Sequence, residues 1–178
     1  MSKRTPKTVP RFQTPIIETH CHLDYLAQDT IADELHAITE AGVERIVTIA
    51  VSADNLKTVL SLCNQHEHIW GTQGIHPHEA SSWTPSVAQA VAQGASHPKV
   101  VAIGEIGLDY YYEHASPRSQ IAAFEAQLSL AAERDLPVVI HTREADADTR
   151  TVLEYHTRHL RTKGVIHSFT SSQALAHY

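Results

Sequence analysis

The chain has 178 residues, enough for one sizeable core but short of the roughly 250 that a complete eightfold βα barrel uses. Hydrophobic residues make up 42% and charged residues 19%, a balance that excludes a disordered chain. A formal net charge of −6 excludes a protein that grips nucleic acid through a broad basic surface. It leaves room for a pocket in which bound cations supply the positive charge.

Two cysteines, Cys21 and Cys63, do not make a disulfide framework and fit a reducing, cytoplasmic setting. Residues Met1 to Pro15 carry Lys3, Arg4, Lys7 and Arg11 without an apolar stretch, so they are expected to form a flexible tail, not a secretory signal. No apolar run reaches membrane-spanning length, so no membrane partner is expected. Residues 16–178 are expected to form the folded domain.

Short β-like runs alternate with longer amphipathic stretches. The first run starts at Ile16–Ile17 and ends at His20–Cys21–His22. A helix is expected from Thr30 to Ala41, closed by Gly42. Arg45–Val51 is the second strand, and Ser52 is placed to cap a helix reaching Asn64. Ile69–Ile75 is the third strand, and Pro85 opens a helix running to Ser96. Val100–Glu105, Leu136–His141 and Gly164–His167 complete the strands. Helices from Pro117 to Arg134 and from Glu144 to Leu160 separate the last three. Such alternation implies a parallel sheet, either doubly wound or part of a barrel. No glycine-rich phosphate loop follows the first strand, which weakens the nucleotide-binding versions of the open sheet.

Fourteen histidines are the unusual feature of the composition. Side chains alternate faces along a strand, so Glu18, His20 and His22 share one face. Glu105, His141 and His167 each end a β run, in step with Val101 and Ile103, Val139, and Val165 respectively. One carboxylate and several imidazoles are therefore expected at the C-terminal rim of one sheet, where barrel enzymes build their sites. Imidazole and carboxylate suit zinc, manganese and related ions, and a carboxylate can bridge two of them. Glu105, from the middle of the strand order, is the natural bridge.

The stretches Ile17-Glu-Thr-His-Cys-His-Leu-Asp24, Gly74-Ile-His-Pro-His78, Gly104-Glu-Ile-Gly-Leu-Asp-Tyr-Tyr111, Val139-Ile-His-Thr-Arg143 and Ile166-His-Ser-Phe-Thr170 carry a resemblance. The chain resembles the TatD family of metal-dependent deoxyribonucleases, within the amidohydrolase-like barrels, from about Ile16 to Phe169. The resemblance implies an α/β fold of the (β/α)8 TIM-barrel type, incomplete here at about six βα units. It implies a 3′–5′ exonuclease that acts on DNA with two divalent ions (Mg, Mn or Zn). His20 and His22 would bind one ion, His141 and His167 the second, and the catalytic Glu105 both.

Two departures stand out. Glu18 replaces the family's usual aspartate, and the sequence has no Glu-Thr-Asp segment of the kind that supplies a further aspartate ligand late in the family pattern. The ion at His20 and His22, short of that aspartate, is therefore expected to be weak, and the one at Glu105, His141 and His167 the tighter. Strands one and six would leave open barrel edges, with Ile17 and Val165 losing neighbours, so self-association is expected.

Arg143, His76 and His78 are expected to contact substrate. Tyr110, Tyr111 and Tyr112 offer a surface for base stacking, with one or two packed beneath the rim. Cys21 is expected in the core. Two other functions remain open: an amidohydrolase acting on amides, esters or phosphotriesters, and a metal-binding family member without turnover.

Overall fold

The computed structural model describes residues 11–178 apart from residue 28. The tail expected at Met1–Pro15 lies outside that range for residues 1–10. Within it, the Phe12 N–H donates to the Ala41 carbonyl at 3.0 Å and ties residue 12 to the end of the first helix.

Six strands form one sheet: β1 (Ile16–Cys21), β2 (Val43–Thr48), β3 (Ile69–Gln73), β4 (Val100–Asp109), β5 (Val138–Arg143) and β6 (Gly164–Ile166). Each pairs in parallel with its sequence neighbours, in the order β1-β2-β3-β4-β5-β6. A doubly wound sheet reverses its strand order at a switch point. No reversal occurs here, so the sheet is an incomplete barrel. The helices between strands are α1 (Ile31–Glu40), α2 (Leu56–Gln65), α3 (Pro85–Gly94), α4 (Pro117–Arg134) and α5 (Asp146–His156), followed by the short α6 (Gln173–Ala176). None is long and apolar enough to cross a membrane.

Local chemistry sets the boundaries. Pro85 and Pro117 sit in the first turns of α3 and α4, behind caps in which Thr84 and Ser116 accept from the N–H groups of Val87 and Ser119. The expected Ser52 cap is replaced. Asn55 stands at the cap of α2, and its Oδ1 accepts from the N–H groups of Val51 and Ser52. β2 ends at Thr48, short of the expected Val51, and just past it the Ala50 N–H turns to the Thr72 hydroxyl. Strand β4 extends past Glu105 to Asp109. Its register shifts between Gly104 and Ile106, after which residues Ile106 to Asp109 pair with Ile140 to Arg143.

The core lies between sheet and helices. Ile46, Ile69, Ile103, Ile106 and Leu108 pack with Val59 and Leu62 of α2 and with Phe124 and Leu128 of α4. Gly71 is required by close approach. A Cβ there would stand 2.6 Å from Val59 Cγ1 and 2.9 Å from Cys63 Sγ. β1 and β6 end the sheet, and their side chains Ile17 and Val165 are 55% and 52% exposed.

Candidate metal centre

Glu105 is the centre of the C-terminal rim. Its side chain is buried, and four imidazoles surround it. His20 Nε2 lies 3.3 Å from Oε2, while His141 Nδ1 and His76 Nε2 lie 3.2 and 3.6 Å from Oε1. His167 Nε2 also contacts Oε1. Each arrives from the end of a different strand or the loop after it. His20 comes from β1, His76 follows β3, His141 lies in β5 and His167 follows β6. The His167 N–H continues the ladder by donating to the Ile140 carbonyl at 3.0 Å, which fixes this residue although it lies beyond its strand.

Among the described residues, two groups bring three candidate ligand atoms within 4.8 Å of one another: His20–Glu105–His167 and His76–Glu105–His141. Glu105 belongs to both. The groups divide the histidines differently from the sequence expectation, since His167 falls with His20 and not with His141. The rings of His20 and His167 stack at 3.8 Å and 10°. His22 stands just past β1, stacked on Tyr25, and lines the adjoining cavity of about 320 Å³ with Val51, Ser52, His76, His78 and Glu105.

Asp109, four residues further along β4, is a second anchor that the sequence did not single out. Its Oδ2 accepts from His78 Nε2 at 3.0 Å and from His141 Nε2 at 2.9 Å. Its Oδ1 accepts from the Tyr111 and Tyr112 N–H groups. Burial would raise this carboxyl, but the Tyr112 N–H, the two imidazoles and the Tyr111 N–H together bring it down to about 2. Burial would raise Glu105 too, yet His141, His167 and His20 hold it far below the ordinary carboxylate range. Burial works to lower His141, but carboxylates on both ring nitrogens raise it overall. His76 behaves oppositely. Burial dominates there and lowers it to about 3, so its ring is neutral at pH 7.

Two glutamines of α4, one on each side of Phe124, brace this arrangement from behind. Gln127 Oε1 accepts from the Ile75 N–H at 2.7 Å and its Nε2 donates to the Ile75 carbonyl at 3.1 Å. That grip fixes the residue before His76. Gln120 holds Asp109 in the same way, with contacts of 2.7 and 2.8 Å to its N–H and carbonyl. Both glutamines are buried. Their signal in the sequence is faint: two amides seven positions apart on the inner face of a helix.

A metal fits the residues present. His20 Nδ1 and Nε2 and His22 Nδ1 are buried without a hydrogen-bond partner, so the approach of His20 to Glu105 is not a hydrogen bond. Buried polar atoms are nearly always satisfied, and unpartnered imidazole nitrogens beside a carboxylate are the donor set of a zinc- or manganese-type site.

The sequence matches the profile of the family described as TatD related DNase over residues 17–178. The chain belongs to that family. This TatD-family chain is 41% identical over 136 residues to the 3′-5′ ssDNA/RNA exonuclease TatD of Erwinia amylovora, a match covering 76% of the chain and 52% of that protein. It is 35% identical over 133 residues to the protein of the same name from Salmonella typhimurium, covering 75% and 51%. It thus spans about half the length of these curated relatives. Among solved structures, the TatD homologue YJJV of Escherichia coli K12 aligns with a TM-score of 0.78 at 32% identity, covering 90% of this chain and 62% of that one. A TatD family hydrolase from Entamoeba histolytica shares the fold, with a TM-score of 0.79 at 20% identity.

The remaining sequence candidates lie on the same rim. Arg143 places its guanidinium 4.0 Å from the centre of the Tyr111 ring and 4.7 Å from that of Tyr112. It forms no ion pair with Glu144 or Asp146 among the described residues, and Asp146 accepts from the Ser172 N–H instead. Tyr110 packs against the core and donates to Asp148, whereas Tyr111 and Tyr112 are half exposed. The Cys21 thiol is raised to about 12 by burial and by Glu18 and Asp24, which removes it as a nucleophile.

Proposed function

We propose that the chain binds divalent cations at Glu105 and hydrolyses phosphodiester bonds at the 3′ end of single-stranded DNA or RNA. One observation carries the reading: a buried carboxylate ringed by imidazoles, with unpartnered nitrogens on His20 and on the adjoining His22, opens onto a cavity of about 320 Å³. The relatives' names supply the substrate class.

His20, Glu105 and His167 would hold the tighter ion, with His22 beside them, and Glu105 and His141 the weaker one. Magnesium, manganese and zinc are the candidate ions. When bound, such cations polarise a phosphoryl oxygen and acidify water. The other roles belong to the chain's own groups. His76 Nδ1 accepts from the His78 N–H at 3.2 Å, so the proton of this neutral ring sits on Nε2. His76 therefore acts as a hydrogen-bond donor to a phosphate oxygen, although proximity alone would make it a ligand. His78, fixed by Asp109, flanks the same cavity. Arg143 supplies a fixed guanidinium for a second phosphate. Glu105 stays ionised throughout and neutralises cation charge.

The free thiols Cys21 and Cys63 suit a reducing cytoplasm. The exposed Ile17 and Val165 at the sheet's two edges favour self-association of this chain, which sedimentation would show as a dimer or larger species.

The test is a substrate panel of 5′-labelled single-stranded DNA and RNA and p-nitrophenyl esters, each with Mg²⁺, Mn²⁺ or Zn²⁺. The expected result is metal-dependent shortening from the 3′ end that Glu105→Gln abolishes. Ester cleavage without shortening would replace the nuclease with an amidohydrolase. Metal binding without any turnover would leave a binding protein.

A further inference from the structure

Beyond the metal centre the rim carries a row of rings. From His141 the ring centres step 4.6 Å to His76, 4.4 Å to His78 and 4.5 Å to His114. Tyr112 stands beside both of the last two, 5.5 Å from His78 and 6.1 Å from His114, to which it lies at 30°, and Tyr111 follows 4.8 Å on. Arg143 closes the row over both tyrosines. Between Tyr112 and His114 the backbone turns through Glu113 at a φ of 49°, a left-handed conformation that returns His114 towards His78.

A second cavity of about 540 Å³ lies along this row, lined by His78, Glu79, Ser81, Ser82 and His114. It shares His78 and Glu79 with the cavity of the metal centre, so one ligand can pass from the first into the second. Among the described residues its lining contains no lysine or arginine and does contain a carboxylate. A phosphate would be repelled there. The serine hydroxyls and Glu79 instead suit sugar hydroxyls and exocyclic amines, and the ring of His114 in the lining, with Tyr112 next to it at 6.1 Å, suits the face of a base. Arg143, over the tyrosine rings at 4.0 and 4.7 Å, lies outside the lining of this cavity.

We propose that this second cavity is a nucleoside subsite, in which a base next to the scissile phosphate stacks on His114 and Tyr112 while Arg143 meets the following phosphate. The inference rests on the nuclease reading and adds the residues that take the base. Stacking on aromatic rings is tolerant of sequence, so the subsite selects for an unpaired base and not for a particular one.

The experiment is fluorescence anisotropy with the whole chain and a phosphorothioate-linked hexathymidylate labelled at its 5′ end, in magnesium buffer. Two further oligonucleotides carry an abasic residue at the 3′-terminal or the penultimate position. One of the two abasic ligands should bind about 5- to 150-fold more weakly than the intact one, the range that base–aromatic stacking carries. Tyr112→Ala and His114→Ala should each weaken the intact oligonucleotide and erase the abasic difference, while Tyr112→Phe should retain both. If the wild-type chain binds the intact oligonucleotide but makes no distinction, or the alanine variants keep the distinction, the subsite is wrong and the nuclease reading stands. If no oligonucleotide binds, both fall.

Discussion

Replacing Gln127 by leucine removes a support for the site without touching any group on the rim. The side-chain volume changes little, but the amide that brackets Ile75 is lost. In the wild-type chain the Ile75 N–H and carbonyl meet only Gln127 among the described residues, at 2.7 and 3.1 Å, and Ile75 is 1% exposed. Water cannot replace the amide at that depth. Each buried backbone group left without a partner costs about 1–3 kcal/mol, so the pair costs about 2–6 kcal/mol. Set against a typical domain stability of about 5–15 kcal/mol, that is a large fraction. Urea unfolding followed by circular dichroism should show the midpoint falling sharply at constant slope. Gln127→Glu keeps an acceptor for the N–H but turns a second oxygen to the Ile75 carbonyl and buries a charge, and should destabilise at least as much. Oligonucleotide affinity should weaken in both variants even where they remain folded, because His76 follows the released residue. A leucine variant within about 1 kcal/mol of wild type would refute the reasoning, since less than one unsatisfied group would then be exposed by the change.

Gly71→Ala should destabilise by about 1–3 kcal/mol, because its Cβ overlaps Val59 and Cys63 and drives α2 from β3; melting curves would check this, and an unchanged midpoint would contradict it. Asp109 sits at about 2, below the ordinary carboxyl value of about 3.9, so its stabilising contribution is complete above that value and disappears as pH falls towards 2. The stability gap between wild type and Asp109→Asn, measured in urea, should therefore be wide at pH 6 and narrow at pH 2.5; a gap independent of pH would exclude the carboxylate as its source. His20→Ala should lose the tighter cation in calorimetry, whereas His76→Ala should retain it and lose oligonucleotide affinity; loss of the cation in His76→Ala would make His76 a ligand and not a donor.

Much of the fold was legible in the sequence because its signals are local. Pro85 and Pro117 mark helix starts by their own ring geometry, and the β-branched runs at residues 45–48, 100–103 and 138–140 identify strands without help from distant residues. The rim positions of Glu105 and His141 followed from two of these runs, and those of His20 and His167 from the shorter runs at Ile16–Ile17 and Val165–Ile166. What escaped depends on contacts between distant segments. The continuation of β4 to Asp109 is masked by the register shift at Glu105 and by Gly107, whose φ of 134° breaks the two-residue alternation. His76 lies in a loop, where no periodicity says which way a ring faces; Gln127, fifty-one positions later, decides it. Ser52 and Asn55 are equally good capping residues by type, and only the carboxylate of Asp24, which accepts from Asn55 Nδ2, distinguishes them. The division of histidines around Glu105 depends on how the two ends of the sheet approach, which no single strand records.

That approach has a thermodynamic side. Among the described residues β1 and β6 share no hydrogen-bonded ladder, yet His20 in the one and His167 just past the other stack face to face at Glu105. A cation held there would act as a clasp between the first and last strands, and could be gripped only after every intervening strand is in place. Its binding energy would then be folding energy. At a thousandfold excess over Kd the gain is about 4 kcal/mol, comparable to the smaller stabilities of whole domains. The temperature at which the chain melts in each divalent salt would then rank the ions by affinity, and heat resistance becomes a direct measure of which metal the site prefers.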